Sequence, residues 1–490
     1  MTAEDELIRL RQENADLREQ VKRIPLLEES VRQLSEQVKT LQERLAKDSH
    51  NSHLPPSSDR FARHKKTRSQ RKRSGKKPGG QAGHDGHHLA FSATTDEVVV
   101  HPVSVCSHCQ ADLRAVGVCG IERRQVVDVP PVRLHVTEHQ AERKCCPHCH
   151  AETRASFPTS VPAPVQYGTG LGAWAVYLVT HHLLPFKRAA EILSDLMGAR
   201  MSEGTIRQLT SRCANVLRPI ERHIKIALRQ APVIHQDESG LYVAGKRIWM
   251  HVTSTSQLTH YQVHAKRGTE ALDANGILPG YQGTSVHDGW AAYEGYGCTH
   301  ALCNVHLVRD LIFVEETTKQ PWASDMQTLL LDLKTLTDEA RAAGQTSLTP
   351  EVLSAALLRY RRVVAQGEQA HPPPTPEPMD PSTPKKRGRR KQSAARNLLD
   401  RLIKHEDAVL AFTRDLRVPF DNSQAERDIR MLKVQQKISG CFRSWNGALD
   451  FCRIRGSLST LRKQGNPLLS ALQQALAGHP LLPVLSSGPE

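Results

Sequence analysis

Two Cys-x-x-Cys pairs, Cys106 with Cys109 and Cys146 with Cys149, constrain this 490-residue chain more than any other feature of it. Four thiolates in two close pairs are the donor set of a tetrahedral zinc ion, and four protein ligands leave no position open for a substrate. Between the pairs, Val127, Val129, Val132, Leu134 and Val136 alternate around Pro130-Pro131, which predicts two strands of a hairpin. Two knuckles joined by a hairpin make a zinc ribbon over residues 91–155, holding structural Zn2+. The intervening loop exceeds the usual spacing of such sites, and Cys145, His108, His148 and His150 are further candidate ligands. The eleven cysteines accompany acidic and polar first residues rather than a secretion signal, so reduced thiols in a cytoplasmic protein are expected.

The formal net charge of +15 favours a polyanionic partner, of which nucleic acid is the commonest. Basic residues crowd the stretch 48–90, where Lys65, Lys66, Arg71, Lys72, Arg73, Lys76 and Lys77 stand close together. Such density repels itself and stays unfolded until phosphates neutralise it, so a disordered DNA-contacting arm is expected; a solvated linker is the plainer reading. The longest apolar run, Leu171 to Leu184, is broken by His181 and His182, and no membrane span is expected.

Residues 1–47 carry heptads. Leu7, Leu10, Asn14, Leu17, Val21 and Ile24 form one run, and Leu27, Val31, Leu34, Val38, Leu41 and Leu45 another, with a stammer at Pro25 where the helix should overwind or kink. An apolar stripe at this spacing needs a partner helix, which predicts a coiled coil and a homo-oligomer, a dimer being expected. Packing of the helix onto the chain's own body is the other reading.

From 160 to 230 the periodicity is helical, with one helix ending near Gly198 and a second capped by Ser202. The pair reads either as a helix-turn-helix presenting Arg207 and Arg212 to the major groove or as a plain packed hairpin.

At Ala231 the pattern turns to strands. Val233 to Glu238 is an apolar run ending in acids, Gly245 marks a turn, Ile248 to Val252 alternate, and Tyr261 to His264 suggests a third strand. A helical stretch from Thr269 to Leu278 precedes a further strand, Gly283 to Asp288. One acid at each of two strand ends and a later acid on a helix is the plan of an RNase H-like α/β core, here over 231–320 and 397–445. Asp237, Asp288 and Glu426 are the candidate carboxylates, and two-metal phosphodiester chemistry needs such hard oxygen ligands for Mg2+ or Mn2+. On the last helix Asn422, Glu426, Arg430 and Lys433 recur at helical spacing, setting a metal ligand among groups that suit a phosphate backbone. The interruption, 321–396, combines a leucine-patterned helical insertion with a Pro-rich basic linker, and residues 446–490 read as a helical tail. The whole is a multidomain chain.

The motifs Pro55-Pro-Ser-Ser-Asp59, Gly75-Lys-Lys-Pro-Gly-Gly-Gln-Ala-Gly-His84, Asp237-Glu-Ser, His287-Asp-Gly-Trp290, Leu302-Cys-Asn-Val-His306 and Asp421-Asn-Ser-Gln-Ala-Glu-Arg-Asp-Ile-Arg430 stand beside the two cysteine pairs. With Lys437-Ile-Ser-Gly-Cys-Phe-Arg-Ser444, they give a chain that resembles the insertion sequence 66 family of bacterial transposases. It departs in having Asn51-Ser-His-Leu for Asn-Ser-Ser-Lys and Ser239 for Thr. The resemblance implies an aspartate-aspartate-glutamate enzyme with its triad on Asp237, Asp288 and Glu426. Its activity would be Mg2+-dependent cleavage and strand transfer, and its partners the terminal inverted repeats of its element and target DNA. It also implies a DNA contact at Lys433 and a bracing role for Cys303-x-x-His306; DNA contacts at Asn422, Arg427 and Arg430 and a nucleoid-associated location are expected besides. Two other readings of the residues remain: an RNase H-like nuclease without strand transfer, and a non-enzymatic zinc-dependent DNA-binding regulator.

Overall fold

The structure, a computed structural model, describes residues 3–52, 89–373 and 392–484. Lys65, Lys66, Arg71, Lys72, Arg73, Lys76 and Lys77, and with them most of the expected basic arm, lie outside the described residues.

Helix α1 (Ala3–Leu45) runs through Pro25 as one helix. Side-chain ion pairs one turn apart, Arg9 with Glu13 and Arg32 with Glu29, support it locally. Its apolar seam is uncovered: Leu10, Leu17, Val21, Val31, Leu34 and Leu41 are all more than half exposed. Past its end the chain is pinned to the body. Asn51, 3% exposed, donates its amide to Ala46 O and to Glu316 Oε2, each at 2.9 Å, and Lys47 lies over the Phe313 ring.

The expected hairpin at 127–136 is absent. Val127, Val129 and Val136 are at least 66% exposed, and no strand covers them. Alternation marks an apolar face but supplies nothing for it to pack on, and the two prolines remove ladder donors. Pairing forms instead at the second knuckle, where β1 (Arg143–Cys145) and β2 (Glu152–Arg154) run antiparallel on either side of it.

Four helices follow: α2 (Thr169–Thr180), α3 (Phe186–Met197), α4 (Glu203–Val216) and α5 (Arg218–Gln230). Gly198, at φ 69°, ends α3, and Ser202 Oγ accepts the Thr205 N–H at the start of α4. The helix-turn-helix reading fails on the side chains. Arg207 pairs with Asp450 at 2.7 Å and Arg212 donates to Leu476 O at 3.0 Å, so both cations of α4 are bound to the chain's own C-terminal helices. Plain packing of the hairpin prevails.

The central sheet has the order β5-β4-β3-β6-β7. Strands β3 (Val233–Val243), β4 (Lys246–Ser254) and β5 (Thr259–His264) form an antiparallel meander. Ala244 and Gly245, both at positive φ, make its first turn in the sense that twisted hairpins favour. After α6 (Thr269–Asn275), β6 (Thr284–His287) adds to β3 in parallel, and β7 (Thr299–Leu302) adds to β6 likewise. The sheet is therefore mixed.

Helices α7 (Asn304–Thr318), α8 (Pro321–Ala342), α9 (Pro350–Ala370), α10 (Ala394–Lys404), α11 (Glu406–Val409) and α12 (Ala411–Arg414) share one core with β6 and β7, built on Leu311, Trp322, Met326, Leu330, Leu399 and Phe412. Helices α8 and α9 of the segment read as an insertion thus pack into the body, while most of the expected Pro-rich basic linker lies outside the described residues. Helix α13 (Ser423–Ser439) covers β3 and β4 through Ile429, Leu432, Leu241 and Met250. Helix α14 (Trp445–Lys463) lies along β5, and α15 (Leu468–Leu476) packs on α2. Gly456 permits that approach, because a Cβ there would stand 3.1 Å from Thr259 O. Among the described residues no helix is long and apolar enough to cross a membrane.

Candidate active site and metal-binding residues

Side chains alternate along β3, so His235 and Asp237 share a face while Glu238 takes the other. On the first face, His235 Nδ1 lies 3.0 Å from Asn422 Oδ1, which turns that face of the strand toward the start of α13. On the second, Glu238 accepts from Arg267 Nε at 2.9 Å and from Tyr293 Oη at 2.6 Å. The parallel register between β3 and β6 pairs Val233 with Thr284, Ile234 with Ser285 and His235 with Val286. Carried two residues further, it sets Asp237 level with Asp288, just past the end of β6.

The electrostatics record this convergence. Burial, then the charge of Glu238, push the Asp237 carboxyl up to about 8 against a bond from the Glu238 N–H, and the charges of Asp288 and Glu426 add to the rise. Asp288 Oδ1 accepts the Trp290 N–H at 3.0 Å, and Gly289 between them takes a φ of 85°. Glu426, in the first turn of α13, is raised mainly by burial, while Arg309 and Arg430 pull it back down. The donor atoms of Asp237, Asp288 and Glu426 do not all fall within 4.8 Å of one another, so a single ion could not touch all three in this arrangement.

Asn422 requires a correction. Expected to contact DNA, it is 1% exposed. Its amide donates to Gln236 O at 2.7 Å, its backbone N–H donates to Cys303 Sγ at 3.2 Å, and its carbonyl oxygen meets His235. A group bonded on every side within the fold clamps α13 to β3 and cannot reach a phosphate. Arg427, Arg430 and Lys433 are exposed on the same helix, Arg427 bonding Gln424 at 3.0 Å.

Two further sets of residues lie near the acids, one that the sequence reading missed and one for which it expected only a bracing role. Arg267, besides chelating Glu238, lies 4.2 Å from the Trp290 ring and 5.0 Å from the Trp249 ring, fixing the sheet's second face. Nothing local announces a pairing between a strand acid and a loop arginine. The second set is Cys303 and His306, whose Sγ and Nε2 stand 4.0 and 3.4 Å from Glu426 Oε1. Here the Cys-x-x-His spacing was itself a usable signal.

The two cysteine pairs form matching turns. The Cys106 N–H donates to Ala111 O and the Gln110 N–H to Cys106 O; Cys146, Ala151 and His150 repeat both bonds. Gln110 and His150 both take positive φ, at 60° and 54°. Backbone N–H groups of Cys109 and His108 draw the Cys106 thiol pKa down, and those of Cys149 and His148 do the same to Cys146. Each pair is thus locally shaped as a knuckle, but no three of the four sulfurs lie within 4.8 Å of one another.

Comparison with known families matches three stretches. Residues 164–450 match the model described as "Transposase IS66 family", and residues 104–150 that of the "zinc-finger binding domain of transposase IS66". Residues 4–90 match a "Family of unknown function (DUF6444)". No curated protein matches the chain. The fold and the matches together define a multidomain transposase, with a zinc-finger domain ahead of the catalytic region. The chain belongs to the IS66 family of transposases.

Proposed function

We propose that the chain is an aspartate-aspartate-glutamate transposase that cleaves the ends of its element and joins them to target DNA. The observation that carries the reading is the meeting of Asp237, Asp288 and Glu426 from two parallel strands and a clamped helix, each close enough for its charge to be felt at Asp237. The mixed sheet order, an antiparallel meander extended by two parallel strands, supports an RNase H-like core.

The residues fit divalent cations such as Mg2+ or Mn2+: the donors are hard carboxylate oxygens whose mutual repulsion a cation relieves. Asp237, Asp288 and Glu426 would hold such ions between them. When bound, such ions supply Lewis-acid activation of the attacking oxygen and charge stabilisation at phosphorus. The chain's own groups then have distinct tasks. The Asn422 clamp holds Glu426 at the sheet edge, and Arg267 with Tyr293 turns Glu238 away from the acids. Arg427, Arg430 and Lys433 offer cations to the DNA backbone along the exposed side of α13.

The remaining parts serve end recognition and pairing. Cys106, Cys109, Cys146 and Cys149 hold structural zinc, the arm of 48–90 follows DNA, and the uncovered seam of α1 pairs two chains so that two ends are held together. A chain with these tasks works at the nucleoid. The reading is tested by incubating full-length protein and Mg2+ with a terminal-repeat duplex and a plasmid. Joined products carry it; nicking without joining reduces the protein to a nuclease, and binding without either to a regulator.

A further inference from the structure

Cys303, His306 and Glu426 bring a thiol, an imidazole and a carboxylate together at the starts of two helices. Cys303 caps α7, His306 lies in its first turn, and Glu426 lies in the first turn of α13. One donor atom from each falls within 4.8 Å of the other two. His306 Nε2 is 3.4 Å and Cys303 Sγ 4.0 Å from the same carboxylate oxygen, Glu426 Oε1. A tetrahedral zinc ion, with bonds of about 2.3 Å to sulfur and about 2.0 Å to nitrogen and oxygen, spaces its N and O ligands by about 3.3 Å and its S and O ligands by about 3.5 Å. The nitrogen–oxygen distance is already close to this value, and the sulfur–oxygen distance exceeds it by about half an ångström.

Backbone groups orient the sulfur within the cluster. Backbone N–H groups of Asn422 and His306 point at Cys303 Sγ. Cys106 and Cys146 are surrounded in the same way by the N–H groups two and three residues on. Burial, then the charge of Glu426, raise the Cys303 thiol pKa to about 12 in the metal-free site, while these N–H groups pull the other way. Cys303 is 2% exposed, whereas the Glu426 side chain is 42% exposed, so the cluster opens to solvent on its carboxylate side.

We propose that Cys303, His306 and Glu426 form a second zinc site of this chain, distinct from the cysteine knuckles, with three protein ligands and a fourth position open to water or an incoming oxygen. Thiolate and imidazole donors select Zn2+ over Mg2+, and Glu426 is the one side chain that this site shares with the carboxylates. Binding exchanges the Cys303 thiol proton for the ion and engages Oε1 of Glu426. The site does not rest on the transposase chemistry, because Glu426 enters only as a ligand.

The test counts zinc in full-length protein loaded with Zn2+ and dialysed into metal-free buffer, beside Cys303→Ser and His306→Gln, with circular dichroism confirming that each is folded. About two ions per chain are expected in the parent and about one in either variant. Co2+ loading adds a spectroscopic reading, in which Cys303→Ser removes one thiolate charge-transfer component. His306→Gln keeps the test decisive if the Cys303 variant does not fold, since His306 is the more accessible ligand. Zinc content and cobalt spectrum unchanged in a folded variant overturn the proposal. No cleavage is measured, so failure of the catalytic reading leaves this result intact.

Discussion

Asp237 and Asp288 stand level with each other past the last paired residues of two neighbouring parallel strands, set there by the register that joins His235 to Val286. Neither strand carries the pair alone. Burial, then the charge of Glu238, raise the affinity of Asp237 for its proton, and repulsion from the level Asp288 carboxylate adds to the rise.

That rise has a consequence for stability. With the folded carboxyl pushed up to about 8, from an ordinary value near 4, the native state binds more protons than the unfolded state between those limits. In Mg2+-free buffer the parent should therefore lose stability relative to Asp237→Asn as pH climbs from about 4 to about 8, no faster than about 1.4 kcal/mol per pH unit. Saturating Mg2+, which selects the ionised form, should flatten the slope. Denaturant titrations at several pH values measure the difference, and a flat difference without Mg2+ means that Asp237 ionises normally.

Arg267→Ala should destabilise the core by on the order of 3 kcal/mol, because it strips the chief cation from Glu238, whose side chain is only 1% exposed. Glu238→Gln, which keeps the shape and the Tyr293 contact, should cost less. Equal and negligible shifts in thermal melting for both would show the pair to be idle.

The sequence made the strands of the meander legible because they alternate and turn at Gly245, and the start of α13 legible because Asn422 precedes a run at helical spacing. It could not show what lies across space. The hairpin expected around Pro130 failed because alternation says nothing about a packing partner. Arg207 and Arg212 looked free until α14 and α15, more than two hundred residues on, were seen to bind them. Strand β7, four residues long, is too short to announce itself. The burial of Asn422 is likewise a long-range fact, fixed by His235, Gln236 and Cys303 together.

This burial separates two kinds of variant on α13. Asn422→Ala should lower stability by roughly 1–3 kcal/mol through lost buried hydrogen bonds, without changing the salt dependence of DNA binding in the folded fraction. Arg430→Ala and Lys433→Ala should leave melting nearly unchanged while each lowers the slope of log affinity against log salt by about 1. A reduced salt slope in Asn422→Ala would return that residue to the interface.

Removing residues 1–45 should leave the catalytic region folded, since the anchors Lys47 and Asn51 remain on α7. Association should be lost with the seam of α1. Light scattering with and without end DNA reads this; a truncated chain that still pairs two ends would move dimerisation into the core.

The most direct test of the carboxylate site is Mg2+-dependent cleavage of a labelled terminal-repeat duplex by the parent, Asp237→Asn, Asp288→Asn and Glu426→Gln, with binding measured on the same samples. Each substitution removes a ligand charge and preserves shape, so cleavage should fall at least about a thousandfold, as expected when charge stabilisation of the transition state is lost, while end binding stays within a few-fold. Near-parental cleavage by any one of the three contradicts that residue's place in the site, and near-parental cleavage by all three contradicts the account.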